Sequence, residues 1–330
     1  MKPQSKDGLL KMEMGKYQYD SMVRGGSTID VQRSGVIPKL PPLSTATGSQ
    51  VVRVGWGDKY LDKHHKNVDI IDKSPHWSVF PEECDHKAVK KAAEKQRLKI
   101  SMINGYFGGG AAGRESAWKH HPGFKFPNKH KYTPVGFASS DNKELQQELE
   151  QMKKAIDVAD FFGSKMLRFV PGDEDPAKLD RMIPFLREMT KYAKEKNIVM
   201  VCENHDTGIL GQPHTLVEMC GKVGLDNIGV IYEPLNLMEQ AGLDYKKAFE
   251  VMRDIIKMVH LKDGFLDPTR RTYVPTLFGE GDMDYEWVVD RLYAIGYKGY
   301  IGLEYEVSGF PVEKGVKQYL DGYKKMVGMS

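Results

Sequence analysis

The stretch at residues 177–202, AKLDRMIPFLREMTKYAKEKNIVMVC, decides the fold. Its first part reads as a helix, because Leu179, Ile183, Leu186, Met189 and Ala193 recur three or four apart and line one apolar face. Its last part, Ile198-Val199-Met200-Val201-Cys202, is a short β-rich apolar run. Outward in both directions the same alternation continues. Apolar runs stand at 51–56, 68–71, 100–104, 166–170, 198–202, 228–232, 258–261 and 300–303. From the third run onward they alternate with helical stretches at 142–162, 177–196, 215–223, 245–256, 285–295 and 312–326. In 142–162 the apolar residues are Leu145, Leu149, Met152, Ile156 and Ala159, and Asp141 with Glu144 predicts a capping box at its start.

Strands alternating with helices over about 250 residues predict an α/β chain folded as a (β/α)8 TIM barrel. An open doubly wound sheet would carry a Gly-rich phosphate turn after its first strand. Gly55-Trp56-Gly57 lacks the third glycine and a following helix, so the barrel is the expectation. Two features are irregular. The first two runs lie too close together for a crossover helix between them. A long connection at 105–140, with Gly108-Gly109-Gly110, Trp118, His120-His121, Phe124, Phe126 and Tyr132, follows the third run and is expected over the barrel mouth.

Residues 1–50 follow neither period, contain Gly25-Gly26-Ser27, Pro38 and Pro41-Pro42, and are read as an irregular N-terminal arm preceding a barrel at 51–330. An arm draped on the barrel, an arm reaching a partner subunit and a disordered tail are all open. The formal charge of +3 belongs wholly to that arm, which holds seven Lys/Arg and four Asp/Glu, so the remaining residues carry 41 of each sign. A nucleic-acid enzyme needs a basic face, and the neutral barrel gives no support for one. No apolar run is long enough to span a bilayer, and the three cysteines, Cys84, Cys202 and Cys220, show no paired spacing. A cytoplasmic protein is expected, without nucleic-acid or membrane partners.

Barrel enzymes place their chemistry at the C-terminal ends of strands. The fifth run ends Glu203-Asn204-His205, the sixth is followed by Glu233-Pro234-Leu235-Asn236, the seventh contains His260-Leu261-Lys262-Asp263, and the eighth ends Glu304-Tyr305-Glu306. Successive strands thus deliver a carboxylate or imidazole to one rim. Three carboxylates and one imidazole form a mostly hard ligand set, suited to Mn2+, Mg2+ or Co2+, with Zn2+ also admissible. Singly, each residue has an ordinary alternative: a solvated rim glutamate, or a structural histidine. Glu306 alternates in phase with Glu304 and competes with it for the ligand position.

His205 lies two residues beyond Glu203 and points to the same side if the strand continues. It is a candidate acid–base, imidazole being the side chain that ordinarily titrates near neutral pH, or else merely a hydrogen-bond partner of a carboxylate behind the ligands. Arg168, ending the fourth run, is a candidate to hold a substrate oxyanion or phosphate, with a structural ion pair as its alternative.

Glu203-Asn204-His205, His260-Leu261-Lys262-Asp263 and the closing block resemble the xylose-isomerase-like barrels, a family of sugar and sugar-phosphate isomerases and epimerases. The closing block runs Phe278-Gly279-Glu280-Gly281-Asp282-Met283-Asp284, then Gly296 to Glu304. The resemblance implies metal ligation by Glu203, Glu233, His260 and Glu304, with Glu203 and Glu304 also exchanging protons on opposite faces of the substrate. Relatives usually have Asp where Glu233 stands, which makes Glu233 the ligand most open to replacement and Asn236 an alternative contact to substrate. Lys262 and Asp263 are expected to orient the ligands, with Lys262 also reaching substrate.

Two activities compete. One is a metal-dependent isomerase or epimerase of a keto-sugar. The other is a lyase that expels the aglycone from a 3-oxo-glycoside; the α subunits of bacterial C-glycoside deglycosidases are similar in scale and motifs. That similarity implies a small β subunit and a homo- or hetero-oligomer. An apurinic-site endonuclease would need a basic groove, and a non-catalytic sugar-binding barrel would leave the rim constellation without a role.

Overall fold

The structure is a computed structural model. It describes residues 86–95, 98–104, 137, 139–172, 175–205, 208–239, 242–267, 272–305, 307 and 312–328, with three short strands earlier in the chain. Those three are β1 (Lys11–Met12), β2 (Thr28–Arg33) and β3 (Ser44–Thr45). Helix α1 (His86–Lys95) leads into β4 (Leu98–Asn104), and α2 (Asn142–Phe162) into β5 (Met166–Arg168). Then α3 (Leu179–Glu195) precedes β6 (Val199–Glu203), and α4 (Pro213–Val223) precedes β7 (Ile228–Tyr232). Two short helices, α5 (Pro234–Glu239) and α6 (Tyr245–Met252), lead to β8 (Ile256–Leu261). A hairpin of β9 (Asp263–Asp267) and β10 (Thr272–Thr276) comes next, then α7 (Tyr285–Ala294), β11 (Tyr300–Leu303) and α8 (Val312–Met326).

Strands β4, β5, β6, β7, β8 and β11 pair in that order, all parallel, into one curled sheet. From the early strands, β1 and β3 pair with β11, while β2 runs antiparallel to β4. This is a TIM-barrel fold, as expected. The candidate strands at 51–56 and 68–71, and all of the connection at 105–140 except its last residues, lie outside the described residues. No helix among the described residues is long and apolar enough to cross a membrane.

The parallel strands are buried on both faces, which their unbroken apolar runs require. One face packs on the helices in a single large core. The other closes on itself, where Met102, Met166, Val201, Ile231 and Met258 from five successive strands form a separate apolar layer. Side chains alternate along a strand, so the residues two positions beyond four of these point the same way: Arg168, Glu203, Glu233 and His260. An apolar floor therefore carries a charged storey toward the C-terminal ends of the strands.

Two local expectations need correction. Asp141 does cap α2, accepting from Lys143 N–H at 2.7 Å, but Glu144 does not complete a capping box. Its carboxylate takes the Ser139 hydroxyl at 2.6 Å instead, and the Ser139 oxygen takes the Asp141 N–H. The helix expected at 245–256 ends at Met252, and Ile256 already begins β8. The interval between His260 and Glu304 holds the β9–β10 hairpin as well as a helical return.

Candidate metal centre

Glu203, Glu233, His260 and Glu304 converge: one potential ligand atom from each lies within 4.8 Å of all the others, and all four are buried. His260 Nδ1 is the point they share. It lies 3.1 Å from Glu203 Oε1, 3.4 Å from Glu304 Oε2 and 4.0 Å from Glu233 Oε2. Three carboxylates around one imidazole nitrogen form a cation-seeking arrangement.

The electrostatics follow from burial. For Glu203, burial alone would raise the carboxyl, but the Arg168 guanidinium and then His260 outweigh it and hold it below the usual range. Arg168 Nη2 stands 2.9 Å from Glu203 Oε2, both side chains fully buried. For Glu233, burial prevails over the opposing Lys262 and His260 charges and pushes the carboxyl well above the usual range. For His260, burial disfavours the charged form, yet Glu203 and Glu304 prevail and the imidazolium is strongly favoured.

A divalent ion fits this donor set. Glu233 Oε2, which faces the cluster, is buried with no hydrogen-bond partner among the described residues, an arrangement that is costly unless something else engages it. Glu233 Oε1 is spoken for, accepting the Leu235 N–H at 2.8 Å at the start of α5, which leaves Oε2 for the cluster. Glu304 stands in the cluster; Glu306, its rival, lies outside the described residues.

Asn236 and Lys262 link the two ends of the ligand set. Asn236 Nδ2 donates toward Glu203 Oε1 at 3.4 Å, Lys262 Nζ donates to Asn236 Oδ1 at 3.2 Å, and Lys262 Nζ lies 3.6 Å from Glu304 Oε2. Arg168, Asn236 and Lys262 therefore all touch carboxylates of the cluster. The strand does not continue to His205: β6 ends at Glu203, and His205 is half-buried with its N–H bonded to Leu210 O at 3.0 Å. Asp263 orients something other than the ligands. Its carboxylate accepts the N–H groups of Gly264, Gly279, Gly281 and Met283, so the closing block wraps around it.

Asn204, Tyr285 and Tyr319 had no individual role in the sequence reading. The Tyr285 hydroxyl accepts Lys262 N–H at 2.7 Å and donates to Lys262 O, while Tyr319 Oη accepts Asp263 N–H at 3.0 Å and donates to Thr276 O. Together they pin the main chain that carries Lys262. Only Asn204 left a trace in the sequence, as the middle residue of Glu203-Asn204-His205.

A parallel α/β barrel with a buried carboxylate–imidazole cluster at the C-terminal ends of its strands is the class that fold and site define. The chain belongs to the xylose isomerase-like TIM barrel family, whose sequence profile matches residues 66–326. Among solved structures it is similar to an L-ribulose 3-epimerase, at 15% identity and a TM-score of 0.56, covering 76% of this chain and 82% of that one. It is also similar to a xylose isomerase domain protein from Planctomyces limnophilus, at 15% identity and TM-score 0.55, covering 73% and 81%. A 3-keto-D-glucoside 4-epimerase from E. coli aligns at 14% identity and TM-score 0.50, covering 73% and 84%. No curated protein sequence gives a significant match.

Proposed function

We propose that this chain is a divalent-metal-dependent enzyme that removes a proton beside the carbonyl of a keto-sugar, acting as an isomerase or epimerase. The observation that carries the proposal is the convergence of Glu203, Glu233, His260 and Glu304 within 4.8 Å in a buried site. The similarity to sugar epimerases supports it, as does membership of the family.

When bound, a divalent ion supplies Lewis-acid polarisation of the substrate carbonyl, which acidifies the neighbouring C–H. Mn2+ is the ion proposed, with Mg2+, Co2+ and Zn2+ as the alternatives to compare. Glu203 and Glu304 serve as the proton-transfer pair, one taking the proton and the other returning it. Arg168 keeps Glu203 ionised and oriented. Lys262 and Asn236 hold Glu304 and Glu203 and present donors to substrate oxygens. Burial of the cluster excludes water from the proton in transit. His205, two residues beyond Glu203, remains a candidate acid–base. A cytoplasmic protein acting on a free sugar or glycoside, alone or in an oligomer, completes the proposal.

The test is incubation of Mn2+-loaded protein in D2O with a panel of ketoses and 3-oxo-glycosides, followed by mass spectrometry. Deuterium in an intact or rearranged sugar is the expected result, abolished by Glu304→Gln. Release of aglycone from a 3-oxo-glycoside would replace the isomerase reading with the lyase, a reaction calling for a small second subunit. Neither product with any metal would overturn both.

A further inference from the structure

The β6–β7 ladder pairs Glu203 with Ile231, and its last rung is the Asn204 N–H to Ile231 O bond at 3.2 Å. Glu233 lies just past the end of β7, where no strand pairing holds its main chain. There the Asn204 side chain takes over. Its Nδ2 donates to Glu233 O at 2.7 Å and its Oδ1 accepts Glu233 N–H at 2.9 Å. The carboxamide imitates one more rung of the sheet. Both residues are completely buried, so water cannot substitute for either bond. Asparagine is required by its donor–acceptor asymmetry: a main-chain N–H only donates and a main-chain carbonyl only accepts.

The consequence is geometric. Asn204 follows Glu203 directly in the chain, and its own carbonyl accepts Asn236 Nδ2 at 3.3 Å, the same group that faces Glu203 Oε1. One residue therefore ties the backbone of one proposed ligand to that of another. We infer that Asn204 is a positioning residue that sets the separation of the Glu203 and Glu233 carboxylates, and thereby the affinity for a divalent cation, without touching the ion. This inference rests on the metal reading of the cluster.

The test uses the full chain stripped of metal and titrated with Mn2+ by calorimetry, with Co2+ as a spectroscopic probe. In Asn204→Asp, a second acceptor oxygen faces Glu233 O where a donor is needed. Mn2+ affinity is expected to fall about 10–100-fold, with an altered Co2+ visible spectrum, because partners that orient ligands have effects of that size. Equal affinity and an unchanged spectrum in a folded Asn204→Asp would overturn the inference. Should that variant not fold, wild-type hydrogen–deuterium exchange decides instead. A clamp built by Asn204 protects the Glu233 amide equally with and without Mn2+. Protection that appears only on Mn2+ addition would show the ion setting the geometry and overturn the inference. Failure of wild type to bind any divalent ion would instead remove the metal reading, an outcome separable from both.

Discussion

Arg168 and Glu203 form an ion pair with both side chains out of contact with solvent, guanidinium Nη2 standing 2.9 Å from carboxylate Oε2. The contact joins the ends of adjacent strands, since Arg168 is in register with Val201 and Glu203 lies two residues further along. Removing one partner from a buried pair strands the other charge, at a cost of about 3–5 kcal/mol. Arg168→Met should therefore destabilise the metal-free protein by about that amount, read from urea or thermal unfolding. Mn2+ should recover part of the loss, because the ion supplies positive charge to the same carboxylate. An unchanged midpoint in metal-free Arg168→Met would contradict the pairing.

The cluster also predicts how metal affinity varies with pH. Burial first, then the Glu304 and Glu203 charges, raise the Glu233 carboxyl, although Lys262 and His260 oppose them. A raised carboxyl retains its proton in the metal-free fold at pH values where a free carboxyl has lost it. His260 is likewise shifted up and holds its second proton. Both must deprotonate to coordinate, so metal binding releases protons. Affinity should climb with pH from the ordinary carboxylate range upward and flatten once both displaced values are passed. Calorimetry in buffers of different ionisation enthalpy counts the protons; zero release near pH 6 would refute the shifts.

What the sequence made legible was whatever parallel strands impose locally. Runs such as 198–202 and 228–232 are apolar without interruption because helices cover one face and the barrel interior the other. Counting two residues onward from that interior layer reaches Arg168, Glu203, Glu233 and His260, so most of the site was visible as spacing. The β9–β10 hairpin was not, because its strands carry Asp263, Asp267 and Pro275 and leave Phe265 and Leu266 exposed, which blurs any alternation. The end of α6 was overrun because Ile255 and Ile256 continue its apolar stripe in phase. Asn204 was quoted but not understood, since its partner is the main chain of Glu233, and no local pattern announces a side chain imitating a strand.

Glu233 offers a direct check on the proposed ligand that follows β7. Its Oε1 is anchored by the Leu235 N–H at 2.8 Å while Oε2 faces His260 Nδ1 at 4.0 Å. A side chain one methylene shorter cannot keep both contacts. Glu233→Asp should weaken Mn2+ binding by about tenfold or more, an effect at least as large as disturbing a group that merely orients a ligand. Glu233→Gln can keep the Leu235 bond but loses the negative charge, and should also bind weakly. Titration of both variants against wild type measures this. Wild-type affinity in Glu233→Gln would remove Glu233 from the ligand set and leave Glu203, His260 and Glu304.

Two glycines should respond to alanine in opposite directions. A Cβ at Gly281 would lie 2.1 Å from Asp263 Oδ1 and 2.5 Å from Gly264 O. The carboxylate cannot retreat, being held by the N–H groups of Gly264, Gly279, Gly281 and Met283, and Asp263 adjoins Lys262. Gly281→Ala should therefore cost at least the ~1–3 kcal/mol typical of overpacking and lower turnover by displacing Lys262. Gly221 sits inside α4 with nothing within 4 Å of its would-be Cβ. Gly221→Ala should stabilise the protein by roughly 0.5–1 kcal/mol through helix propensity alone, leaving metal binding unchanged. Thermal unfolding of the two variants side by side gives the comparison. A neutral Gly281→Ala would mean that the closing block does not clamp Asp263, and the main chain carrying Lys262 would then owe its place to Tyr285 and Tyr319.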